Sequence, residues 1–395
     1  MDVRKLAEKY EEYVISTRRW LHQRPEVAWD EFETTEFIAQ ELKKMGLEPQ
    51  GFGDKRTGLY CMIYGGKAKP NAKTIMLRAD IDALPMEEQT NLPYASRYEN
   101  RMHACGHDCH TAMLLGAVKI LTELKDGLPG NIKLLFQAAE ETSIGAKWYV
   151  DQGVMDGVNA VYGCHIASWI DAPYIMVDAG PRTAACDEFI ITVDGVSCHG
   201  GMPSHGKDAI VAASAVVMNL QSIVSRRTDS VDSLVITTGK MNGGHNYNVV
   251  CGQVVLNGTV RSYSKEVRKG VPALMEEVAM NTARAFGCSA KVEYLHGTPA
   301  IINDDEQMNS IAKDAVLKLY GSEVLGTSRP VGMGDDFAYF REKCPGIFAF
   351  IGGGNKELGY TYAHHHPKFN VDESSLSRGT AMYAQMAIDF LAGCE

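Results

Sequence analysis

Three apolar runs in this chain predict buried strands, and side chains that bind metal ions follow each run closely. The runs with the residues after them are 74–77 with Asp80 and Asp82, 132–136 with Glu140 and Glu141, and 160–164 with His165. In open parallel α/β sheets, ligands gather outside the carboxyl ends of the strands. The pattern therefore predicts an α/β sheet with a polar site along one edge.

Two further segments are rich in the same residue types. They are Cys105-Gly106-His107-Asp108 and His364-His365-His366. Thiolate and neutral imidazole both bind zinc well, and glycine permits a sharp local turn. His103 and His110 flank the first segment, so the local sequence leaves open which imidazoles bind a metal ion. Together the five segments indicate a metal-dependent hydrolase.

Each segment also has a purely structural interpretation. The two aspartates could be solvated loop residues, and Cys105 could be a buried thiol beside a helix-capping histidine. The two glutamates could favour a helix N-terminus through the helix dipole. His165 taken alone is more typical of a core histidine, and the three histidines could form an exposed loop. The coincidence of all five segments favours a metal centre.

Length and composition exclude several classes of protein. The 395 residues are enough for two domains, because single hydrophobic cores stop growing near ~250–300 residues. The net charge of −10 argues against a nucleic-acid partner, since phosphate binding needs a basic surface. No secretory signal or membrane-spanning stretch is expected. The ten cysteines form no short-spaced framework, which predicts reduced thiols and a cytoplasmic protein.

The order of helical and strand-like patterns predicts two domains. Because the candidate metal ligands lie both before and after residues 182–296, residues 1–181 and 297–395 are expected to form one α/β domain, with a mixed sheet and helices on both faces. Residues 182–296 follow a βαββαβ order, which predicts a ferredoxin-like domain that interrupts the first. Within the first domain, Asp108 is the expected N-cap of a helix over 110–124.

Nine strings along the chain match one family in order. They are Arg78-Ala-Asp-Ile-Asp-Ala-Leu-Pro85, His103-Ala-Cys-Gly-His-Asp-Cys-His-Thr-Ala112, Ala139-Glu-Glu141, Gly163-Cys-His165, Ser197-Cys-His-Gly-Gly-Met-Pro203, Gly243-Gly-His-Asn-Tyr-Asn248, Gly258-Thr-Val-Arg261, Gly332-Met-Gly-Asp-Asp-Phe337 and His365-His-Pro-Lys-Phe369. From about Leu21 onwards the chain resembles the dinuclear-metal aminoacylase and carboxypeptidase family. Its amidohydrolase subgroup, which includes hippurate hydrolases, indoleacetyl-amino-acid hydrolases and N-acetyl-diaminopimelate deacetylases, is the most similar.

This resemblance implies that the domain formed by residues 1–181 and 297–395 is a metallopeptidase-like catalytic domain. It also implies cleavage of the amide bond of N-acyl amino acids by an activated water molecule. Two divalent ions, manganese or zinc, would be held by Cys105, His107, Glu141, His165 and His365. Glu140 would be the general base, and Asp82 would orient a metal-binding histidine.

The resemblance also assigns roles to three residues of the insert. His199 would reach into the partner subunit's site and stabilise the oxyanion, which implies a homodimer built through a lid and dimerisation domain. Asn248 and Arg261 would bind the substrate, most simply its carboxylate, a group that guanidinium matches well.

The chain departs from the family pattern in three places. Asp335 stands where glutamate is common, Cys109 replaces the usual glycine, and segment 167–174 lacks the usual proline and glycine pattern. These departures bear on substrate preference more than on the metal ligands.

Three other functions stay open from the sequence. The chain could be a dipeptidase or carboxypeptidase acting on small peptides. Cys105 could act as a nucleophile with His107 as its base. Third, the chain could be a non-catalytic protein of the same family that only binds a ligand, although such a protein would be expected to lack Glu140.

Overall fold

The computed structural model describes residues 2–53 and 56–393. Within these residues the helices are α1 Val3–Lys9, α2 Glu11–His22, α3 Phe32–Lys44, α4 His107–Leu124, α5 Gly145–Asp151, α6 Ala209–Ser222, α7 Lys265–Ala285, α8 Glu306–Tyr320, α9 Ala338–Arg341 and α10 Leu376–Ala392. The strands are β1 Gln50–Gly51, β2 Leu59–Ile63, β3 Thr74–Asp80, β4 Asn131–Gln137, β5 Ala160–Asp171, β6 Ile175–Met176, β7 Gly180–Thr183, β8 Ala185–Asp194, β9 Leu234–Gly243, β10 Gln253–Ser262, β11 Ser289–Thr298, β12 Ile301–Asn303, β13 Leu325–Gly326 and β14 Gly346–Gly354.

The backbone forms two compact units. The first comprises 1–180, 303–329 and 336–395, and the second comprises 181–302 and 330–335. The predicted boundaries therefore differ at residue 181 and in segments 297–302 and 330–335. Segment 330–335 joins the second unit because the Val331 amide donates to Arg182 and the Ala184 amide donates to Val331. Such long-range backbone pairing leaves no periodic signal in the sequence.

The first unit contains an eight-stranded mixed sheet in the order β1-β2-β4-β3-β5-β14-β6-β13. Its central strands β4, β3, β5 and β14 are parallel, and β2 is antiparallel to β4. Strands β3 and β14 are buried along their whole length, as expected where helices cover a parallel sheet. Helices α4 and α10 both pack against β3 and β5. The prediction of a mixed α/β sheet covered by helices is confirmed.

Strand β5 is longer than the apolar run suggested, and His165 lies inside it instead of at its end. Pairing between β3 and β5 stops at Gly163, whereas β5 continues along β14 to Asp171. His165 therefore lies just beyond the last pair with β3. This places it beside the carboxyl ends of β3 and β4, which is where the expected site should lie.

The second unit has the predicted βαββαβ order, in strands and helices β8, α6, β9, β10, α7 and β11. Its four strands form an antiparallel sheet in the order β11-β8-β10-β9, which is a ferredoxin-like arrangement. The core between sheet and helices includes Phe189, Ile191, Val216 and Met275. The fold of the insert is thus confirmed, and its use as a lid or dimerisation domain stays a prediction.

Helix α6 continues through a π-helical turn, Ile223–Arg227. By length and composition alone, the stretch 209–227 is apolar enough to cross a membrane, although none was expected from the sequence. Its inner residues, among them Ala212 and Val216, belong to the core of the second unit. Only about a third of the stretch is buried, so much of its apolar surface faces outward.

Candidate metal centre

His107 is a completely buried imidazole with one free nitrogen. It begins α4, and its Nδ1 lies 2.9 Å from the carbonyl oxygen and 3.2 Å from Oδ1 of Asp82, so Nδ1 carries the hydrogen and donates. Among the described residues its Nε2 has no hydrogen-bond partner, and it lies 3.8 Å from Oε2 of Glu140. One anchored and one free nitrogen is the usual state of a metal-binding histidine.

The turn before His107 requires glycine. Gly106 adopts φ +94°, and a Cβ there would come within 2.4 Å of Cγ2 of Ile166. Helix α4 starts directly after it, so the prediction that Asp108 is the N-cap is wrong. The Asp108 carboxylate instead accepts hydrogen bonds from Arg18 at 2.8 Å and His22 at 2.7 Å, all of them buried.

Asp82 connects the histidine to the two glutamates. Its carboxylate accepts the backbone N–H of Glu140 at 3.1 Å and that of Glu141 at 3.0 Å, in addition to Nδ1 of His107. Asp82 is fully buried. A single carboxylate therefore positions residues that are more than thirty positions apart in the chain.

The two glutamates begin a short 3₁₀ helix, Glu140–Thr142, and face different partners. Oε1 of Glu140 accepts the backbone N–H of Asp336 at 3.2 Å. Oε1 of Glu141 is buried without a hydrogen bond among the described residues and lies 3.5 Å from Nε2 of His365. Burial raises the pKa of Glu141 to about 7, against the lowering effect of His107.

Cys105 and His165 lie against each other in a group of potential ligands that also includes His107. Sγ of Cys105 lies 3.4 Å from Nε2 of His165, whose Nδ1–H donates to the carbonyl of Ile166 at 2.7 Å. Burial raises the pKa of the Cys105 thiol, and the nearby Glu141 carboxylate adds to this effect. Burial lowers the pKa of His165, with His110 contributing, and so favours the neutral imidazole that metal ions require.

The three consecutive histidines have separate environments. Nε2 of His364 accepts the Ser168 N–H at 3.3 Å, and Nδ1 of His366 accepts the Lys368 N–H at 3.0 Å. His365 adopts φ +63°, and its imidazole is the one that reaches Glu141.

Of the histidines that flank Cys105, His110 has both ring nitrogens engaged. Nδ1 donates to Asp80, and Nε2 accepts the Ile166 N–H at 2.8 Å.

The atoms of the predicted ligands and of the predicted base Glu140 converge in three overlapping groups, each with all its atoms within 4.8 Å of one another. The groups are Cys105 with His107 and His165, Cys105 with Glu141 and His365, and His107 with Glu140 and Glu141. Buried polar atoms without partners are costly, and the free Nε2 of His107 and Oε1 of Glu141 are two of them. Thiol, imidazole and carboxylate donors in this arrangement fit divalent metal ions.

A buried polar network beneath these residues was not predicted. Arg78 donates to Asp80 at 2.6 Å and to Asp336 at 2.8 Å, and Gln137 also donates to Asp336. Although burial opposes it, Arg78 keeps the pKa of Asp80 well below its usual range. Asp80 therefore has its own partners, and Asp336 in turn supports Glu140. An arginine at the end of an apolar run was the sequence signal for this network.

His199, Asn248 and Arg261 all belong to the second unit. His199 and Asn248 are exposed and adjacent, since the Gly200 N–H donates to the Asn248 carbonyl at 2.7 Å. Arg261 is half-buried in β10 opposite Cys186. Their roles toward a substrate stay predictions.

Two of the departures from the family pattern lie in buried positions. Cys109 is inside α4, burial raises the pKa of its thiol, and it joins none of the ligand groups found among the described residues. Asp335 is buried in the second unit.

Comparison with known proteins identifies the family. The profile of peptidase family M20/M25/M40 matches residues 76–389. The chain belongs to this family. N-acetyl-L-cysteine deacetylase of Bacillus subtilis (strain 168) is 41% identical over 370 residues, which are 94% of this chain and 86% of that protein. The predicted family resemblance is confirmed, and with it the class of hydrolases that act on amide bonds.

Two further members extend the comparison. Thermostable carboxypeptidase 1 of Saccharolobus solfataricus is 34% identical over 393 residues, covering 98% of this chain and 97% of that protein. A crystal structure from Bacillus subtilis, described as a dinuclear metal binding peptidase from the M20 family, has a TM-score of 0.86 at 32% identity. It covers 98% of this chain and 99% of that one.

Proposed function

We propose that this M20 member hydrolyses the amide bond of N-acyl amino acids and releases a carboxylic acid and a free amino acid. The observation that carries the proposal is the convergence of thiol, imidazole and carboxylate donors beside Glu140. The deacetylase relative, named for an N-acylated amino acid, supports this substrate class.

The residues proposed to hold two divalent ions are Cys105, His107, Glu141, His165 and His365. Such ions, when bound, polarise a scissile carbonyl and make water a better nucleophile at neutral pH. Soft thiolate favours zinc, whereas the carboxylates suit manganese as well. Asp82 holds His107 in the tautomer that leaves Nε2 free for an ion.

Glu140 is the proposed general base. The Asp336 amide holds its Oε1, and its Oε2 faces the ligand residues. Glu140 takes a proton from the attacking water as the water oxygen bonds to the carbonyl carbon. It then delivers that proton to the leaving nitrogen as the C–N bond breaks.

The second unit supplies the proposed substrate contacts. Arg261 and Asn248 bind the carboxylate of the amino acid, a charge-assisted interaction that fixes the substrate's orientation. His199 stabilises the oxyanion in the partner subunit's site, and this role requires a homodimer.

Exposed apolar surface on the second unit supports the homodimer. Met218 on α6 is 72% exposed, and Ile210 and Val211 on the same helix are more than 40% exposed. Strand β9 is an edge of its sheet and exposes Val235. Unpaired edges and apolar patches of this kind mark interfaces. If the wild type is a dimer, Met218→Glu should be a monomer, as measured by the molar mass from light scattering. A wild type that is monomeric at micromolar concentration would refute the proposed homodimer.

Location in the cytoplasm is part of the proposal. The nine described cysteines carry free thiols, as a reducing compartment would maintain. Cys394 lies outside the described residues.

The decisive experiment measures hydrolysis of a panel of N-acyl amino acids before and after metal removal, with elemental analysis of both samples. We expect activity to disappear with the metal and to return with manganese or zinc. Full activity in metal-free protein, or a trapped acyl thioester on Cys105, would reject this mechanism in favour of a cysteine nucleophile.

Dipeptides in the same panel test the carboxypeptidase alternative, which the relative from Saccharolobus solfataricus favours. Faster cleavage of peptides than of every N-acyl amino acid would select that function.

A further inference from the structure

Strand β5 bulges three residues after His165, beyond two further regular pairs with β14. Three of its residues, 168–170, lie opposite the single residue Gly353 of β14. Bulges beside active sites commonly re-aim a side chain. At the centre of this bulge Trp169 is 43% exposed, whereas its two neighbours are buried. The segment is also one of the places where the sequence departs from the family pattern.

The Trp169 indole lies one ring away from a proposed metal ligand. Its centroid is 4.9 Å from that of His364, and the His364 centroid is 5.0 Å from that of His165. Phe350 packs against the indole from β14 at 5.7 Å. These contacts fix the indole beside the metal centre while leaving much of its surface without a protein partner. An aromatic surface in this position is suited to an apolar group of a ligand.

The substrate contacts under the proposed function indicate which part of the substrate this surface meets. The carboxylate of the amino-acid part is assigned there to Arg261 and Asn248, whereas the acyl part has no contact assigned to it. The indole is an exposed aromatic surface that reaches the proposed ligand His165 through the His364 ring. It is therefore the surface available to the acyl substituent.

We infer that Trp169 is a specificity-determining residue whose indole contacts the acyl group and selects aromatic over acetyl donors. The inference rests on the proposed function and names its substrate class. Edge-to-face and offset ring contacts stabilise aromatic groups beyond the effect of buried area, whereas an acetyl methyl gains little from the same surface. Cβ of alanine could not replace the contact, but the ring of phenylalanine could.

The test compares kcat/KM for the N-benzoyl and N-acetyl derivatives of one amino acid in the metal-loaded enzyme. In Trp169→Ala the benzoyl-to-acetyl ratio should fall about tenfold, the scale for losing apolar contacts in a pocket. Trp169→Phe should keep most of the ratio. The matched control is Tyr174→Ala, because Tyr174 is also 43% exposed and close in sequence, but has no described ring contact with the site histidines. The control should leave the ratio unchanged.

Calorimetric binding of the product benzoate gives a readout independent of turnover. Benzoate should bind about tenfold more weakly to Trp169→Ala than to the wild type. An unchanged ratio with unchanged benzoate binding would overturn the inference, and so would an equal loss on both donors, which indicates a structural role. If the wild type cleaves acetyl donors and only the ratio test fails, the proposed function stands. If it cleaves neither donor, the proposed function itself fails.

Discussion

Asp82→Asn changes one atom of a buried carboxylate that serves three donors at once. The asparagine side chain has the same size, but one of its oxygens is replaced by an NH₂ group. Oδ1 of Asp82 accepts from Nδ1 of His107 and the Glu140 N–H, and Oδ2 accepts the Glu141 N–H at 3.0 Å. In either amide orientation, the NH₂ group therefore faces at least one N–H donor.

The size of the effect follows from this mismatch. A hydrogen bond to a charged group contributes ~1.5–3 kcal/mol to stability. In the variant, the asparagine NH₂ group faces another N–H group, and both are donors, so a buried N–H is left without an acceptor. Every 1.4 kcal/mol corresponds to about a tenfold change in an equilibrium constant. Losing residues that orient metal ligands lowers affinity by about 10–100-fold, which agrees with that conversion. We therefore expect metal affinity and kcat to fall by about 10–100-fold.

Competition with a chelating dye measures the affinity for zinc and manganese, and thermal unfolding of the same samples reports stability. The control is Asp151→Asn, since Asp151 lies on α5 with its side chain 56% exposed. Wild-type metal affinity and kcat in Asp82→Asn would refute the reasoning. Lower stability with unchanged affinity would show that Asp82 supports the fold and does not orient ligands.

Three further substitutions test other parts of the structure. Glu140→Gln should keep its metal ions by elemental analysis and lose ~10²–10⁴-fold in kcat, as expected for a general base; unchanged turnover contradicts that role. Arg18→Met should lower the free energy of unfolding in urea by ~3–5 kcal/mol, because it removes the arginine from the buried Asp108 carboxylate and leaves that carboxylate with the hydrogen bond from His22, whereas the exposed Arg19→Met should cost ~1 kcal/mol or less. Gly106→Ala should destabilise by ~1–3 kcal/mol through its left-handed backbone and the contact with Ile166, and a stability equal to wild type would show that the turn relaxes.

Much of the fold could be predicted because its signals are local. The helix predicted over 110–124 is part of α4, which starts three residues earlier at His107, and the apolar run before Asp80 forms the buried strand β3. The βαββαβ order of the insert follows from periodicity alone. The length of strand β5 was underestimated because its second half pairs only with β14, which lies far along the chain.

The supporting residues of the site were harder to find. Arg18 is buried against Asp108, ninety positions away, and its helix looks like any amphipathic helix in the sequence. Asp336 belongs to a matching string, but nothing local shows that it holds Glu140 from beneath. For Trp169 the sequence showed only that its segment departs from the family pattern. The exposure of its side chain could not be predicted, because it depends on a bulge in the pairing of two strands.

The sequence by itself determined which residue types are available at the edge of the sheet, because strand ends and turns carry local signatures and ligand chemistry is a property of the side chain. It also determined the family and hence the class of reaction. The tertiary structure decided which nitrogen of His107 is free, that His110 is engaged and that His365 is the histidine that meets Glu141. Those outcomes depend on hydrogen bonds between segments far apart in the chain, and such bonds form only when the sheet brings the segments together.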